Sequence, residues 1–291
     1  MSMSSKSDGT STFSKIFKVI LIAGKYFCLA LASFLSVVPI VVCLITAFKT
    51  PEEYASTSVM TLPQNWVYFQ NFVTAWTKAS MTKALINTTL ILICVLAGSI
   101  LFSSMLAYVL NRFKFRGNKV IRNLFLFATL IPGIATQVTV YQIMFQFGLI
   151  DSLVGYIILL LGSDVISIYI FLQFFENLSE SLDESAILDG CTYFGVFFKI
   201  LLPLTKPAII TVMILKGVAT YNEYYMAQLY LQTKPLRQVV STSLYVFTGP
   251  MGNQYNFICA GVIITIIPAL IVFILCQKQI YNGLGAGSVK G

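Results

Sequence analysis

Long apolar runs alternate with short polar ones along this chain. The runs cover roughly Tyr26 to Phe48, Ala84 to Leu110, Val120 to Phe145, Leu153 to Phe175, Lys206 to Leu231 and Phe257 to Cys276. Each is close to the roughly 20 residues a helix needs to cross a bilayer. The short alternating segments of an outer-membrane barrel are absent, and a helix satisfies its own backbone polar groups inside lipid. The pattern predicts an all-α, polytopic membrane protein with six transmembrane helices. Pro132-Gly133, inside the third run, frees a carbonyl and predicts a kink there. Ala30-Leu31-Ala32 mimics a signal-peptide cleavage site, but the apolar run continues well past it, so the reading is an uncleaved first span.

Charge then orients the spans. Of 19 Lys and Arg residues, thirteen fall on the N-terminal tail, the Asn111 to Arg122 loop, the segment before Lys206 or the C-terminal tail. Five fall on the segments between, and Lys216 alone lies within a span. Basic residues gather on the cytoplasmic side, so the asymmetry predicts both termini in the cytoplasm of a multi-pass cell-membrane protein. The expected division is an N-terminal tail at 1–25, with Met1 to Thr12 disordered, a transmembrane domain at 26–276 and a C-terminal tail at 277–291.

Composition narrows the chemistry. With 57% hydrophobic and 10% charged residues, the chain cannot cover a water-soluble globule of its length. The net charge of +8 follows from basic cytoplasmic ends and implies no nucleic acid partner. The six cysteines form no CxxC pair, and the absence of histidine removes the commonest metal ligand and general base. An enzyme is not expected. Charges inside spans are expensive, so Asp164, Lys216 and Glu223 require partners; Lys216 is expected to reach a carbonyl or a carboxylate, with Asp164 as a candidate. A helix continuing through Glu223 puts it on the same face as Lys216 but about 10 Å further along, too far to pair.

Glu184 to Pro203 is the most particular stretch. It reads as a short polar helix that leaves through Asp189-Gly190 and leads into a second apolar helix, an exposed elbow between the fourth and fifth spans. Small side chains at Ser185, Ala186 and Gly190 allow close approach of another surface, and Ile187, Leu188, Tyr193 and Phe194 offer apolar anchors. The order Glu184-Ser185-Ala186, then Asp189-Gly190, then Pro203 resembles the loop of ABC importer membrane subunits that carries the Glu-Ala-Ala pattern. Ser185 and Cys191 depart from that pattern, both with small residues.

The resemblance implies a type I ABC importer permease fold in which this loop, about 177–205, is a coupling helix seated on a cytoplasmic ATPase. The string Thr220 to Tyr225 resembles the family's Trp-Asn-Asp/Glu segment, with Tyr221 in place of Trp. Tyr221, Asn222, Glu223, Tyr225 and Gln228 could stack on and hydrogen-bond a sugar, or could hold this helix against a partner's helices. Phe48-Lys49, Leu62-Pro63, Asn71-Phe72, Asn87-Thr88, Arg112 and Gly117 also resemble carbohydrate-importer permeases. The C-terminal residues, Gly287 and Lys290 among them, resemble the maltose-type second permease subunit, whose tail inserts at the ATPase interface.

By that resemblance the expected function is permease subunit of an ATP-driven oligosaccharide importer. Its partners would be a second, different permease, a dimer of cytoplasmic ATPases, an extracellular solute-binding protein and membrane lipid. No cofactor is expected on this chain; ATP and Mg would sit on the ATPases, and no Walker-type Gly-Lys-Ser/Thr loop occurs. The alternative is an ion- or proton-coupled secondary transporter, whose signs are inverted repeats and a run of intramembrane acids.

Overall fold

The structure is a computed structural model that describes residues 8–162, 164–232, 236–250 and 252–286, with side chains from Phe17 to Lys278. Those residues form an all-helical assembly. Its elements are α1 (Asp8–Ala47), α2 (Pro51–Ser56), α3 (Gln70–Lys78), α4 (Met81–Arg112), α5 (Asn118–Leu130), α6 (Gly133–Gln146), α7 (Leu153–Gly162) and α8 (Val165–Glu176). They continue as α9 (Ser181–Leu188), α10 (Tyr193–Gly195), a π-helical segment (Val196–Leu201), α11 (Leu202–Leu204), α12 (Lys206–Asn222), α13 (Tyr225–Tyr230), α14 (Val240–Ser243), a 3-10 turn (Leu244–Phe247) and α15 (Tyr255–Ala286).

Three helices are long and apolar enough to cross a membrane unbroken: Phe17–Ala47, Met81–Arg112 and Tyr255–Lys278. Three bent pairs pass the same test, giving up to six spans by length and composition. The kink expected at Pro132-Gly133 is a bend of more than a right angle, 103° between α5 and α6. Proline at 132 has no N–H to give, and Ile131 before it takes the extended conformation that proline imposes on its predecessor. The angle is 48° between α7 and α8, and 73° between Tyr193–Leu204 and α12.

Several boundaries differ from the sequence reading. α1 begins at Asp8, so helix occupies part of the segment expected to be a disordered tail and runs through the expected boundary at residue 25. The fifth span stops at Asn222 instead of continuing to Leu231, because Glu223 turns to extended backbone and a new helix starts at Tyr225. α15 runs past Cys276 to Ala286. In lipid the burial of apolar surface is not what joins helices; close packing and interhelical hydrogen bonds are. α4 shows this packing, burying Ala84, Thr88, Ile91, Val95, Ser99, Ser103 and Ala107 on one stripe at three- and four-residue spacing. Gly98 on α4 meets Leu161 so closely that a Cβ would sit 2.7 Å from a Leu161 methyl.

Three apolar clusters result. The first gathers Tyr108 of α4, Phe171 and Phe175 of α8, Ala186 of α9, Phe197 and Leu201 of the π segment and Val212 of α12. The second joins Ile91 and Val95 of α4 to Met144, Tyr156, Leu160, Tyr230 and Val239. The third joins Ala47, Ala75, Met81, Phe247 and Ala260. Buried Asn71 binds this third region together: its side-chain amide donates to the Ala47 and Lys49 carbonyls at 2.8 and 2.7 Å, and its oxygen accepts from Asn256 at 3.3 Å.

Candidate functional site: the elbow between α8 and α12

The elbow expected from the sequence forms, and its parts can be traced to single residues. α9 ends at Leu188, and Gly190 takes φ +86°, the left-handed conformation that glycine adopts without steric cost. The Gly190 N–H donates to the Ile187 carbonyl at 3.0 Å and the Cys191 N–H to the Ala186 carbonyl at 2.9 Å. Those two bonds are the Schellman arrangement, which satisfies carbonyls a helix end leaves open. Thr192 then starts the second arm, its hydroxyl accepting from the Gly195 N–H at 3.2 Å. Pro203 and Pro207 stand at the first turns of α11 and α12, where a missing N–H is harmless.

The faces of α9 sort the expected docking residues. Glu184, Ser185, Ile187, Leu188, Asp189 and Gly190 are exposed, Leu188 at 88%. Tyr193 and Phe194 are exposed as well. Ala186 is not part of that surface: three residues after Asp183, it turns inward with it and packs in the first apolar cluster. Its small side chain lets α9 lie close to this protein's own core.

Asp183 is the residue the sequence reading passed over. Its carboxylate forms an ion pair with Arg112 at the end of α4, and both side chains are almost fully buried. Arg112 also donates to the carbonyls of Phe175 at 3.4 Å, Leu178 at 3.0 Å and Ser179 at 3.4 Å, and to Asn111 at 2.9 Å. One guanidinium therefore ties α4 to the end of α8 and the start of α9. Burial holds the Asp183 carboxyl above its ordinary value; the Arg112 charge and hydrogen bond pull it back, and Glu180 and Glu184 push it up further. A second pair, Arg122 with Glu176, together with the Tyr169 hydroxyl on the Arg122 carbonyl, fastens α5 to α8.

The second set of expected residues is only partly brought together. A narrow recess of about 10 Å³, room for a single water, is lined by Thr88, Tyr156, Thr220, Tyr221, Glu223 and Ser241, among others. Tyr221 and Glu223 belong to it; Asn222, Tyr225 and Gln228 do not line it. The Tyr221 hydroxyl donates to the Thr265 carbonyl at 2.7 Å, tying α12 to α15. The Glu223 carboxylate accepts from the Met226 N–H at 2.9 Å and its carbonyl from the Ser241 hydroxyl at 2.7 Å, so this residue caps α13. Asn222 bonds back to the Val218 carbonyl at 3.0 Å and is exposed. Tyr225 is exposed, and the buried Gln228 Oε1 has no hydrogen-bond partner among the described residues.

Lys216 reaches both groups anticipated for it. Its ammonium donates to the Leu160 carbonyl at 2.8 Å and stands 3.8 Å from the Asp164 carboxylate. Asp164 also accepts from the Ser167 hydroxyl at 2.8 Å. Asn87 and Thr88, singled out earlier only by pattern, hold the 236–240 segment: Asn87 donates to the Leu236 and Gln238 carbonyls, and Thr88 accepts from the Val240 N–H at 2.9 Å. Gly287 and Lys290 lie outside the described residues.

Comparison with known proteins places this geometry in a lineage. Residues 99–283, which contain the elbow, match the family described as binding-protein-dependent transport system inner membrane component. The probable ABC transporter permease protein YurM of Bacillus subtilis is 31% identical over 87% of this chain and 83% of its own length. The arabinooligosaccharides transport system permease protein AraQ of Halalkalibacterium halodurans is 28% identical over 90% of this chain and 94% of its own. The fold is also that of a chain in the crystal structure of a bacterial ABC transporter involved in the import of the acidic polysaccharide alginate. The TM-score is 0.75 at 20% identity, over 95% of this chain and 99% of that one. The chain belongs to the binding-protein-dependent transport system inner membrane component family and is a multi-pass ABC transporter permease.

Proposed function

We propose that this permease carries oligosaccharides inward as the maltose-type second permease of its importer, and that the elbow is where ATPase motion enters it. Support for the cargo comes from several relatives. Besides the arabinooligosaccharide permease, a melibiose/raffinose/stachyose import permease and a galactooligosaccharides permease of Bacillus subtilis are 27% and 26% identical over 87% and 95% of this chain. The observation that carries the coupling role is the combination of a capped, charge-anchored α9 with an outer face of Leu188, Ile187, Asp189 and Gly190 left open.

A rigid knob is what the energetics require. Moving a two-state gate from nearly closed to nearly open takes about 5.5 kcal/mol of differential binding, whereas one exposed ion pair supplies about 0–1. The whole of α9 and the start of the second arm must therefore dock together. In this reading both termini and the elbow lie in the cytoplasm, and a dimer of ATPases holds ATP and Mg. A different permease closes the path, and an external solute-binding protein delivers sugar. Gly287 and Lys290 of the tail meet the ATPases, and this chain hydrolyses nothing itself. Tyr221 and Glu223 border the sugar path through the small polar recess, with Asn222, Tyr225 and Gln228 beside it.

Purification in mild detergent tests the reading, followed by uptake of a panel of labelled oligosaccharides in reconstituted vesicles. Recovery of a nucleotide-binding subunit and ATP-dependent uptake are expected. A permease recovered alone, with uptake driven by a proton or sodium gradient, overturns it in favour of a secondary transporter.

A further inference from the structure

A recess of about 170 Å³ opens between the C-terminal end of α4 and the second arm of the elbow. Tyr108, Val109 and Phe113 line one side, and Tyr193, Phe194 and Phe197 the other, so its surface is almost wholly apolar. Tyr193 and Phe194 also stand at the start of the docking arm, but the coupling role assigns nothing to the cavity between them and α4. The residues that follow its lining are cationic. Lys114 and Arg116 succeed Phe113, Lys119 stands on the first turn of α5, and Lys199 comes two residues after Phe197; all four are exposed.

These cations differ from their neighbours. Arg112 and Arg122 are committed to Asp183 and Glu176. Lys114, Arg116, Lys119 and Lys199 make no ion pair or side-chain hydrogen bond among the described residues. Among the described residues, the acids of α9 and its two caps that remain outside an ion pair are Glu180, Glu184 and Asp189. An apolar slot at the end of a membrane span, beside four unneutralised cations, has the complementarity of a molecule with a long hydrocarbon chain and an anionic head.

We propose that the recess binds an anionic phospholipid of the inner leaflet, one acyl chain lying against Phe113, Phe194 and Phe197 and the phosphate among Lys114, Arg116 and Lys199. The site rests on the reading that the Arg112 to Arg122 segment faces the cytoplasm, where anionic headgroups attract juxtamembrane basic residues. A protein partner fits less well, because the exposed residues that follow the slot's apolar lining along the chain are unpaired cations. The bound lipid fills the space behind the second arm and braces the elbow against α4.

The purified transporter, delipidated in detergent, is titrated with phosphatidylglycerol, phosphatidylcholine and glycerol phosphate, with retention read by native mass spectrometry. Phosphatidylglycerol is expected to bind more tightly than phosphatidylcholine, and glycerol phosphate hardly at all. Lys114→Gln and Arg116→Gln should each weaken retention about fivefold, and salt should weaken it in wild type. Val109→Trp, which fills the slot, should weaken both lipids. Equal retention of the two phospholipids, or retention untouched by Lys114→Gln and Arg116→Gln, overturns the site. So does protection of the slot by a protein subunit in the absence of lipid. These two surface variants remove no contact within the fold, so misfolding does not obscure the result. A transporter that keeps selective phosphatidylglycerol binding yet recovers no ATPase indicts the functional reading instead.

Discussion

Arg112 and Asp183, 71 positions apart in sequence, meet in a buried ion pair where the end of α4 touches the first turn of α9. The same guanidinium holds the Phe175 carbonyl in the last turn of α8 and the Leu178 carbonyl just after it, so the elbow is fixed at its root by one side chain. A knob so anchored can transmit a push into α4 and α8, whereas a loop tied only to its own ends would absorb it.

The pair has a pH signature. Because burial raises the Asp183 carboxyl, protonation favours the folded elbow. That contribution is complete below the ordinary carboxylate value and is lost as pH rises through the higher folded value. At neutral pH Arg112 offsets the loss. Arg112→Gln should therefore destabilise by about 3–5 kcal/mol near neutrality and by less in acidic buffer, as Asp183 moves toward its neutral form. Thermal unfolding in detergent at the two pH values measures it; equal losses would contradict the arrangement.

At Gly190 the backbone is left-handed but the space around a Cβ is open. Gly190→Ala should cost only the backbone strain, about 1 kcal/mol, and leave substantial uptake. Gly190→Trp should abolish uptake while the protein remains in the membrane, because a large ring cannot enter a docked interface. Uptake together with membrane abundance separates the two. Normal transport by the Trp variant would remove the elbow from the coupling path.

Lys216 and Asp164 are nearly buried inside the spans. Lys216→Met leaves a buried carboxylate without its cation, and about 3–5 kcal/mol of stability should go with it. The double variant Lys216→Met with Asp164→Asn should recover most of that loss. A double variant as unstable as the single would mean that the lysine acts through the Leu160 carbonyl alone.

Asn71→Ala should leave the Ala47 and Lys49 carbonyls unanswered in a closed site and cost about 2–4 kcal/mol. Limited proteolysis should then open the 48–70 region first. Unchanged protection there would show that neighbouring backbone takes over both bonds.

Around the small recess, stability and transport should part company. Tyr221→Phe loses the bond to the Thr265 carbonyl and should cost about 1 kcal/mol. Asn222→Ala removes only a bond within its own helix and should leave unfolding unchanged, while altering the rate or preference of uptake. Identical uptake across several sugars would reduce Asn222 to a surface residue.

Much of this was legible in the chain because it depends on local rules. Run length gave the spans, and Asp189-Gly190 gave the point where α9 ends, since only a residue tolerant of positive φ can stand there. The lone intramembrane cation had few possible partners, so Lys216 could be matched to Asp164. What stayed hidden was directional. Pro132 announces a break but not its 103° angle, which depends on what packs against each half. Nothing local distinguishes Asp183, which turns inward, from Glu184 beside it, which faces out; only the position of Arg112 decides. Glu223 looks like a free intramembrane acid until the end of α12 at Asn222 makes it the cap of the next helix.

The apolar clusters divide along the breaks. α5, α8 and α12 pack with the elbow, while α6, α7 and α13, their continuations, pack in the second cluster. Only α4 passes through both without interruption. The first two clusters are thus two bodies threaded on a single axle, with each crossover between them already bent or broken. A few degrees of tilt imposed on one body can be taken up by rotation at those joints, with neither interior having to repack.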